Sequence, residues 1–82
     1  MKKEYVLKFT SFSDISSFVR TLSKRIPCDV NASYENQIVD AKSYLGWVSL
    51  SSHPITVKIN TDDEYLIEKF GEICGKYLYK ED

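Results

Sequence analysis

Few side chains in this 82-residue chain have the type and spacing that covalent chemistry needs. His53 is the single histidine, and Asp14 has no histidine or second hydroxyl at the spacing of a catalytic triad. Cys28 and Cys74 are far apart in apolar patterns, so we expect each to be a small buried hydrophobe. One histidine and two distant cysteines also lack the spacing of a metal site. We therefore expect no enzymatic activity, no bound metal and no cofactor.

A cluster of polar residues opens a predicted helix. It includes Ser11, Ser13 and Asp14. Free backbone N–H groups at the start of a helix can bind a small anion, which makes this cluster a candidate anion site. A solvated first turn with redundant capping residues accounts for the same sequence. Both interpretations are open at this point.

Ser43 stands at the predicted start of a second, shorter helix, directly after Lys42. A phosphate on its hydroxyl would meet free backbone N–H groups and the positive end of the helix dipole, with the Lys42 ammonium beside it. Serine is also among the commonest N-caps, and capping alone would stabilise the helix by ~1 kcal/mol. Ser43 is thus a candidate phosphorylation site. A capping role alone would also explain why a serine occurs at this position.

Hydrophobic periodicity predicts the elements that position these residues. Two-residue alternation over Tyr5–Phe9 predicts a strand. A helix should follow, with Ser13 as its N-cap, Asp14 in its first turn and its end at Pro27. The apolar residues of this helix fall on one face: Ile15, Phe18, Val19, Leu22 and Ile26.

The second half of the chain continues with a hairpin. Alternation predicts strands over Cys28–Tyr34 and Gln37–Ala41, joined by the polar turn Glu35–Asn36. A two-turn helix is expected over Ser43–Leu50, with Trp47 buried against the sheet, and a fourth strand over Ile55–Ile59.

A capping box of Thr61 and Glu64 predicts the start of the last helix. Its buried face should contain Leu66, Phe70, Ile73 and Tyr77, flanked by Ile67, Cys74 and Leu78. The resulting order, βαββαβα, predicts an α+β fold: a four-stranded antiparallel sheet with helices on one face.

Composition restricts the classes of partner. The chain is 43% hydrophobic and 28% charged, with a net charge of −1, as in an ordinary globular domain. Its basic residues are scattered, whereas a nucleic-acid binder usually carries a basic stripe. No apolar run approaches the ~20 residues that span a bilayer, and no signal-like segment follows the start. We expect one cytoplasmic domain over residues 1–82 that binds neither nucleic acid nor membrane.

The segment Lys42–Ser43–Tyr44–Leu45–Gly46, followed by Ser49–Leu50, is similar to the Lys-Ser-Ile-Met-Gly signature of the HPr family. Members of this family are phosphocarrier proteins of the bacterial sugar phosphotransferase system. Asp29–Ala41 resembles the second and third strands of the family, and Phe18–Thr21 with Ser23–Lys24 resembles its first helix. The resemblance implies an open-faced β-sandwich of βαββαβα order.

The resemblance also implies roles for single residues. Ser43 resembles the serine that a dedicated kinase phosphorylates in some bacteria. Tyr44, Leu45 and Val48 match positions that form an exposed apolar patch for protein partners, and Lys42 adjoins it. The expected partner is therefore a phosphotransferase-system or regulatory protein, with the oligomeric state left open.

Two departures separate the chain from phosphocarriers of this family. The Leu-His-Ala-Arg-Pro segment, which supplies the phosphorylated histidine, has no counterpart, because Phe9–Ser17 is shorter and contains neither His nor Arg. The loop Ser51–Pro54 is also shortened and lacks a glycine-containing turn. A phosphohistidine carrier needs an accessible imidazole. We therefore expect a non-catalytic regulatory or protein-interaction domain, with phosphorylation of Ser43 as its expected switch. The alternatives are a phosphocarrier that uses His53 and a small-anion or metabolite-binding module at Ser11, Ser13 and Asp14.

Overall fold

The computed structural model of the chain describes residues 2–50 and 53–80. In chain order the elements are β1 (Glu4–Leu7), α1 (Phe12–Arg25), β2 (Val30–Tyr34), β3 (Gln37–Asp40), α2 (Tyr44–Leu50), β4 (Ile55–Ile59), α3 (Glu64–Cys74) and a 3₁₀ turn (Gly75–Tyr77). The predicted order is confirmed. Ser51 and Ser52, which belong to the loop expected to be shortened, lie outside the described residues.

The four strands form one antiparallel sheet in the order β1–β4–β2–β3. One face carries the apolar side chains, as in the row Tyr5, Val57, Ala32 and Val39. The opposite face is largely exposed, as in the row Val6, Thr56, Ser33 and Ile38. All three helices pack their buried side chains on the first face. The α+β open-faced layout predicted from the sequence is therefore confirmed.

Four aromatic rings fill the centre of the core, and we call them the aromatic cluster: Phe9, Phe18, Trp47 and Tyr77. Their contacting ring centroids are 4.9–5.6 Å apart. Trp47 is fully buried, as predicted, and its indole Nε1–H donates to the carbonyl oxygen of Ala41 over 2.7 Å. The cluster joins α1, α2 and the 3₁₀ turn to Phe9, which lies two residues after the end of β1.

The predicted N-cap of α1 is wrong by two residues. Ser11 is the cap, because its hydroxyl accepts from the backbone N–H of Asp14 over 3.2 Å. Ser13 lies inside the first turn and is exposed. The cap is the residue whose backbone is still extended, and Ser11 has φ −155° and ψ 158°.

The predicted capping box of α3 is also wrong. The carboxylate of Asp63 caps the helix by accepting from the backbone N–H groups of Tyr65 and Leu66. The Thr61 hydroxyl accepts from the N–H of Asp63 instead, over 3.1 Å, so the helix begins two residues later than the box requires. The helix buries the side chains of Ile67, Phe70 and Cys74. Leu66 and Ile73, which were predicted to lie on the buried face, are half-buried.

Residues 77–79 continue beyond α3 along the outer edge of β1. The backbone N–H of Lys8 donates to the carbonyl of Tyr77 over 3.0 Å, and that of Tyr79 donates to the carbonyl of Val6 over 2.9 Å. Leu7 and Leu78 form an antiparallel bridge between them. Leu78, predicted to lie on the buried face of the last helix, is therefore extended and 42% exposed. None of the described helices is long and apolar enough to cross a membrane.

Candidate functional site

The turn from β3 into α2 is held by backbone hydrogen bonds to Asp40. Its carboxylate accepts from the N–H of Lys42, and its carbonyl accepts from the N–H of Ser43, both over 2.9 Å. Ser43 then caps α2, because its hydroxyl accepts from the N–H of Gly46 over 3.3 Å. Its carbonyl accepts from the N–H of Trp47, which closes the first helical turn. The predicted N-cap role of Ser43 is confirmed, and its phosphorylation stays a prediction.

Helix α2 has one anchored side and one exposed side. Trp47 and Leu50 are buried on the anchored side. On the other side Leu45 is 80% exposed, and Tyr44 and Val48 are each 38% exposed. We call Tyr44, Leu45 and Val48 the α2 patch. The helix thus presents apolar side chains to solvent from a fixed position.

Gly46 allows α2 to approach β3 closely. A Cβ atom at this position would lie 3.0 Å from Cβ and 3.2 Å from Cγ2 of Val39. A larger residue would push the helix away from the strand. Glycine has a low helix propensity, so Gly46 is unfavourable for α2 itself. Its lack of a side chain allows the short distance between α2 and the sheet.

His53 packs on the β2–β3 hairpin. Its ring stacks on Tyr34, with centroids 4.2 Å apart and planes 6° from parallel. No hydrogen bond between described residues joins His53 to Ser11, Ser13 or Asp14. The structure therefore gives the single imidazole an aromatic neighbour and does not join it to the polar cluster of α1.

The polar cluster at the start of α1 is occupied by its own contacts. The Ser11 hydroxyl caps the helix, and the hydroxyl of Thr10 donates to the Asp14 carboxylate over 3.1 Å. Burial, and after it the Asp14 carboxylate, raise the pKa of the Tyr77 hydroxyl, so Asp14 places negative charge beside this site. An anion bound here would meet that charge. The geometry supports the capping interpretation of the cluster.

Comparison of the chain with known protein families, with curated proteins and with solved structures finds no match. The likeness to HPr rests on the residues quoted from the sequence. No group of three His, Cys, Asp or Glu side chains in residues 2–50 and 53–80 is arranged to hold a metal ion.

Sequence reasoning missed two residues of these surfaces. Phe12, the first residue of α1, is 56% exposed although it lies three residues before the buried Ile15. That spacing places Phe12 in line with the apolar face, so periodicity alone would bury it. Tyr34 was expected only as a strand residue. Its stacking on His53 depends on the return of the chain from α2 to β4, which no local pattern indicates.

Proposed function

We propose that this chain is an HPr-like, non-catalytic domain that acts through protein–protein contact at the α2 patch. The partner is a phosphotransferase-system or regulatory protein of a bacterial cytoplasm. The observation that carries this proposal is Leu45, which is 80% exposed on a helix whose opposite side is anchored by the buried Trp47. Leu45 falls within the segment that resembles the family signature.

Rigid presentation makes such a patch suitable for binding. Trp47 is fixed by its hydrogen bond to Ala41, and Gly46 allows the helix to pack closely against Val39. Binding through a preorganised surface loses less conformational entropy than binding through a mobile one. Tyr44 adds contact area with few rotamers to immobilise, which is typical of residues that contribute strongly to interfaces.

Phosphorylation of Ser43 would act directly on this patch. The hydroxyl is half-buried and serves as the cap of α2, immediately before Tyr44. A phosphate would add about −1.5 to −2 charges at this point, with Lys42 as the adjacent cation. We propose that this charge switches the affinity of the α2 patch for its partner.

A quantitative pull-down from lysate of the source cell tests the patch. The bait is the wild type, the double variant Tyr44→Ala/Leu45→Ala, or a matched control. The control, Tyr65→Ala/Ile38→Ala, removes one tyrosine and one aliphatic side chain that are 66% and 70% exposed elsewhere. We expect mass spectrometry to find a phosphotransferase-system or regulatory protein that the patch variant loses by about tenfold or more and the control retains.

Circular dichroism of each bait verifies that it is folded. Equal recovery of every partner by the patch variant and the wild type would refute the proposed function. A partner of a different class, lost only with the patch variant, would contradict the assignment to the phosphotransferase system.

Phosphorylation assays separate the switch from a carrier. We expect a serine kinase of this system to place an acid-stable phosphate on Ser43 and not on Ser43→Ala. Incubation with phosphoenolpyruvate and enzyme I should leave His53 unmodified. An acid-labile phosphate on His53 would establish the alternative, a carrier that uses this residue.

A further inference from the structure

A cavity lies between α1 and α3. These helices follow β1 and β4, which are antiparallel neighbours in the sheet, so the helices also run antiparallel. They pack against each other and leave an open cavity of about 250 Å³ between them. Thr21 and Arg25 line it from α1, and Lys69 and Ile73 line it from α3. All of these residues lie outside the α2 patch.

Positive charge converges on this cavity. Arg25, Lys69 and Lys76 line it, against a single carboxylate, Glu72. The Lys3–Asp62 pair is the one ion pair within residues 2–50 and 53–80, so these three cations have no carboxylate partner there. The whole chain has a net charge of −1, which makes this local excess a distinct feature of the surface.

Helix dipoles do not account for the positions of all the cations that line this cavity. Arg25 lies in the last turn of α1, where a cation complements the dipole. Lys69 lies in the middle of α3 and faces Arg25 across the same cavity. Its ammonium contacts the Tyr65 ring, 5.3 Å from the centroid. Two like charges on opposite walls repel each other unless an anion lies between them.

Arg25 and Lys69 lie at one end of the cavity, and Tyr77 lies at the other end, next to Lys76. Tyr77 contacts Phe18. Arg25 lies seven residues beyond Phe18 on α1, and Lys69 lies eight residues before Tyr77 in the antiparallel direction. At ~1.5 Å per helical residue, both cations lie about 10 Å from the contact between Phe18 and Tyr77. The half-buried Ile73 and Tyr77 form an apolar surface beside these cations, above the buried Phe18.

We propose that this cavity binds a small phosphomonoester. Its phosphate contacts Arg25 and Lys69, and its organic group lies on Ile73 and Tyr77. A guanidinium binds phosphate oxygens in bidentate fashion, and a lysine adds a point charge, which suits a dianion. Since sites for drug-sized ligands occupy about 300–1,000 Å³, a cavity of about 250 Å³ restricts the organic group to a single ring or short chain.

A ¹H–¹⁵N NMR titration of the full chain with phenyl phosphate tests this proposal. We expect saturable shifts of the Arg25, Lys69 and Ile73 amides, with tighter binding than inorganic phosphate, which lacks the ring. Benzoate has the ring and one negative charge, so it should also bind more weakly. Arg25→Gln should weaken phenyl phosphate about tenfold, the loss expected for one charge-assisted contact.

Lys24→Gln is the matched control, because it makes the same change of charge at the neighbouring, exposed residue outside the cavity. We expect it to change the affinity less than about twofold. Lys69→Gln repeats the test from the other helix if Arg25→Gln is poorly folded. Equal weakening by Lys24→Gln and Arg25→Gln, or shifts without saturation, would show diffuse attraction and overturn the proposal. The outcome is independent of the α2 patch, so either proposal can fail alone.

Discussion

The indole of Trp47 combines full burial with a hydrogen bond to the carbonyl of Ala41. Trp47→Phe would keep an aromatic ring. It would remove the hydrogen-bond donor of the Ala41 carbonyl and create a small cavity beside it. We expect the free energy of unfolding to fall by about 3 kcal/mol. Urea denaturation followed by circular dichroism measures this, since the variant has no tryptophan. Tyr44→Phe, on the exposed side of α2, should change stability by less than about 0.5 kcal/mol. Similar losses for both variants would contradict the argument.

Cys74 should make stability fall at alkaline pH. It is fully buried, and this burial raises the pKa of its thiol to about 12. An unfolded thiol ionises near pH 8.5, so above this pH the unfolded chain binds fewer protons than the folded chain. Stability therefore decreases with rising pH, by up to ~1.4 kcal/mol per unit for one proton.

Replacing the thiol tests this slope. Cys74→Ala should lower stability at pH 7 but flatten its dependence on pH between about 8.5 and 10, where the Cys74 thiol of the unfolded chain ionises. Urea denaturation across this range gives both quantities. An unchanged slope in Cys74→Ala would assign the alkaline loss to other groups.

Single residues also show where sequence reasoning succeeds. Ser43 and Trp47 were predicted correctly because one local feature decides each role: a hydroxyl before an apolar turn, and the largest apolar ring of a short helix. The caps of α1 and α3 were predicted incorrectly, because several residues that can cap a helix occur within four positions of each other. Ser11 and Asp63 cap these helices because the backbone there is extended, which the residue type does not reveal.

At the scale of elements, a substitution at Gly46 tests the packing of α2 on β3, because helix propensity and steric overlap have opposite effects on stability. Alanine at Gly46 would favour the helix by ~1 kcal/mol, but its Cβ would overpack against Val39 at a cost of about 1–3 kcal/mol. We expect Gly46→Ala to destabilise the chain by about 1 kcal/mol, measured by thermal or urea unfolding. In a Val39→Gly background, which removes both the Cβ and the Cγ2 atom that the added methyl would meet, the same substitution should become stabilising.

Gly71 of α3 is the matched control. A Cβ there would lie 2.7 Å from the hydroxyl oxygen and 3.5 Å from Cζ of Tyr5, which are the far end of a movable side chain. We expect Gly71→Ala to be neutral or stabilising. A destabilisation by Gly46→Ala that persists in the Val39→Gly background would refute the role assigned to this close approach.

Elements were predicted better than their ends. The alternation of Val30–Tyr34 and Gln37–Asp40 predicted the hairpin, although its turn has Glu35 at φ 52° where glycine or asparagine is usual. The cavity between α1 and α3 could not be predicted in this way. Arg25 and Lys69 are 44 positions apart in the sequence, and only the antiparallel pairing of the two helices brings them to opposite walls.

At the scale of the whole molecule, residues 77–79 protect an edge of the sheet. Tyr79→Pro would remove the N–H that donates to Val6. Leu78, at φ −58° and ψ 131°, already has a conformation that suits the residue before proline, so the lost hydrogen bond should dominate. We expect a loss of about 1–2 kcal/mol in the free energy of unfolding and self-association in sedimentation experiments.

Lys80→Pro is the control for this edge, because no described residue accepts a hydrogen bond from the Lys80 N–H. It should remain as stable and as monodisperse as the parent protein. If Tyr79→Pro behaves in the same way, β1 needs no cover at its outer edge.

The aromatic cluster provides the protein with a built-in optical reporter. Trp47 is the sole tryptophan, and its ring touches Phe9 and Phe18, which in turn touch Tyr77. Its fluorescence therefore responds when water reaches the junction of α1, α2 and the C-terminal segment. Stopped-flow emission can then time whether these three parts separate together or one after another.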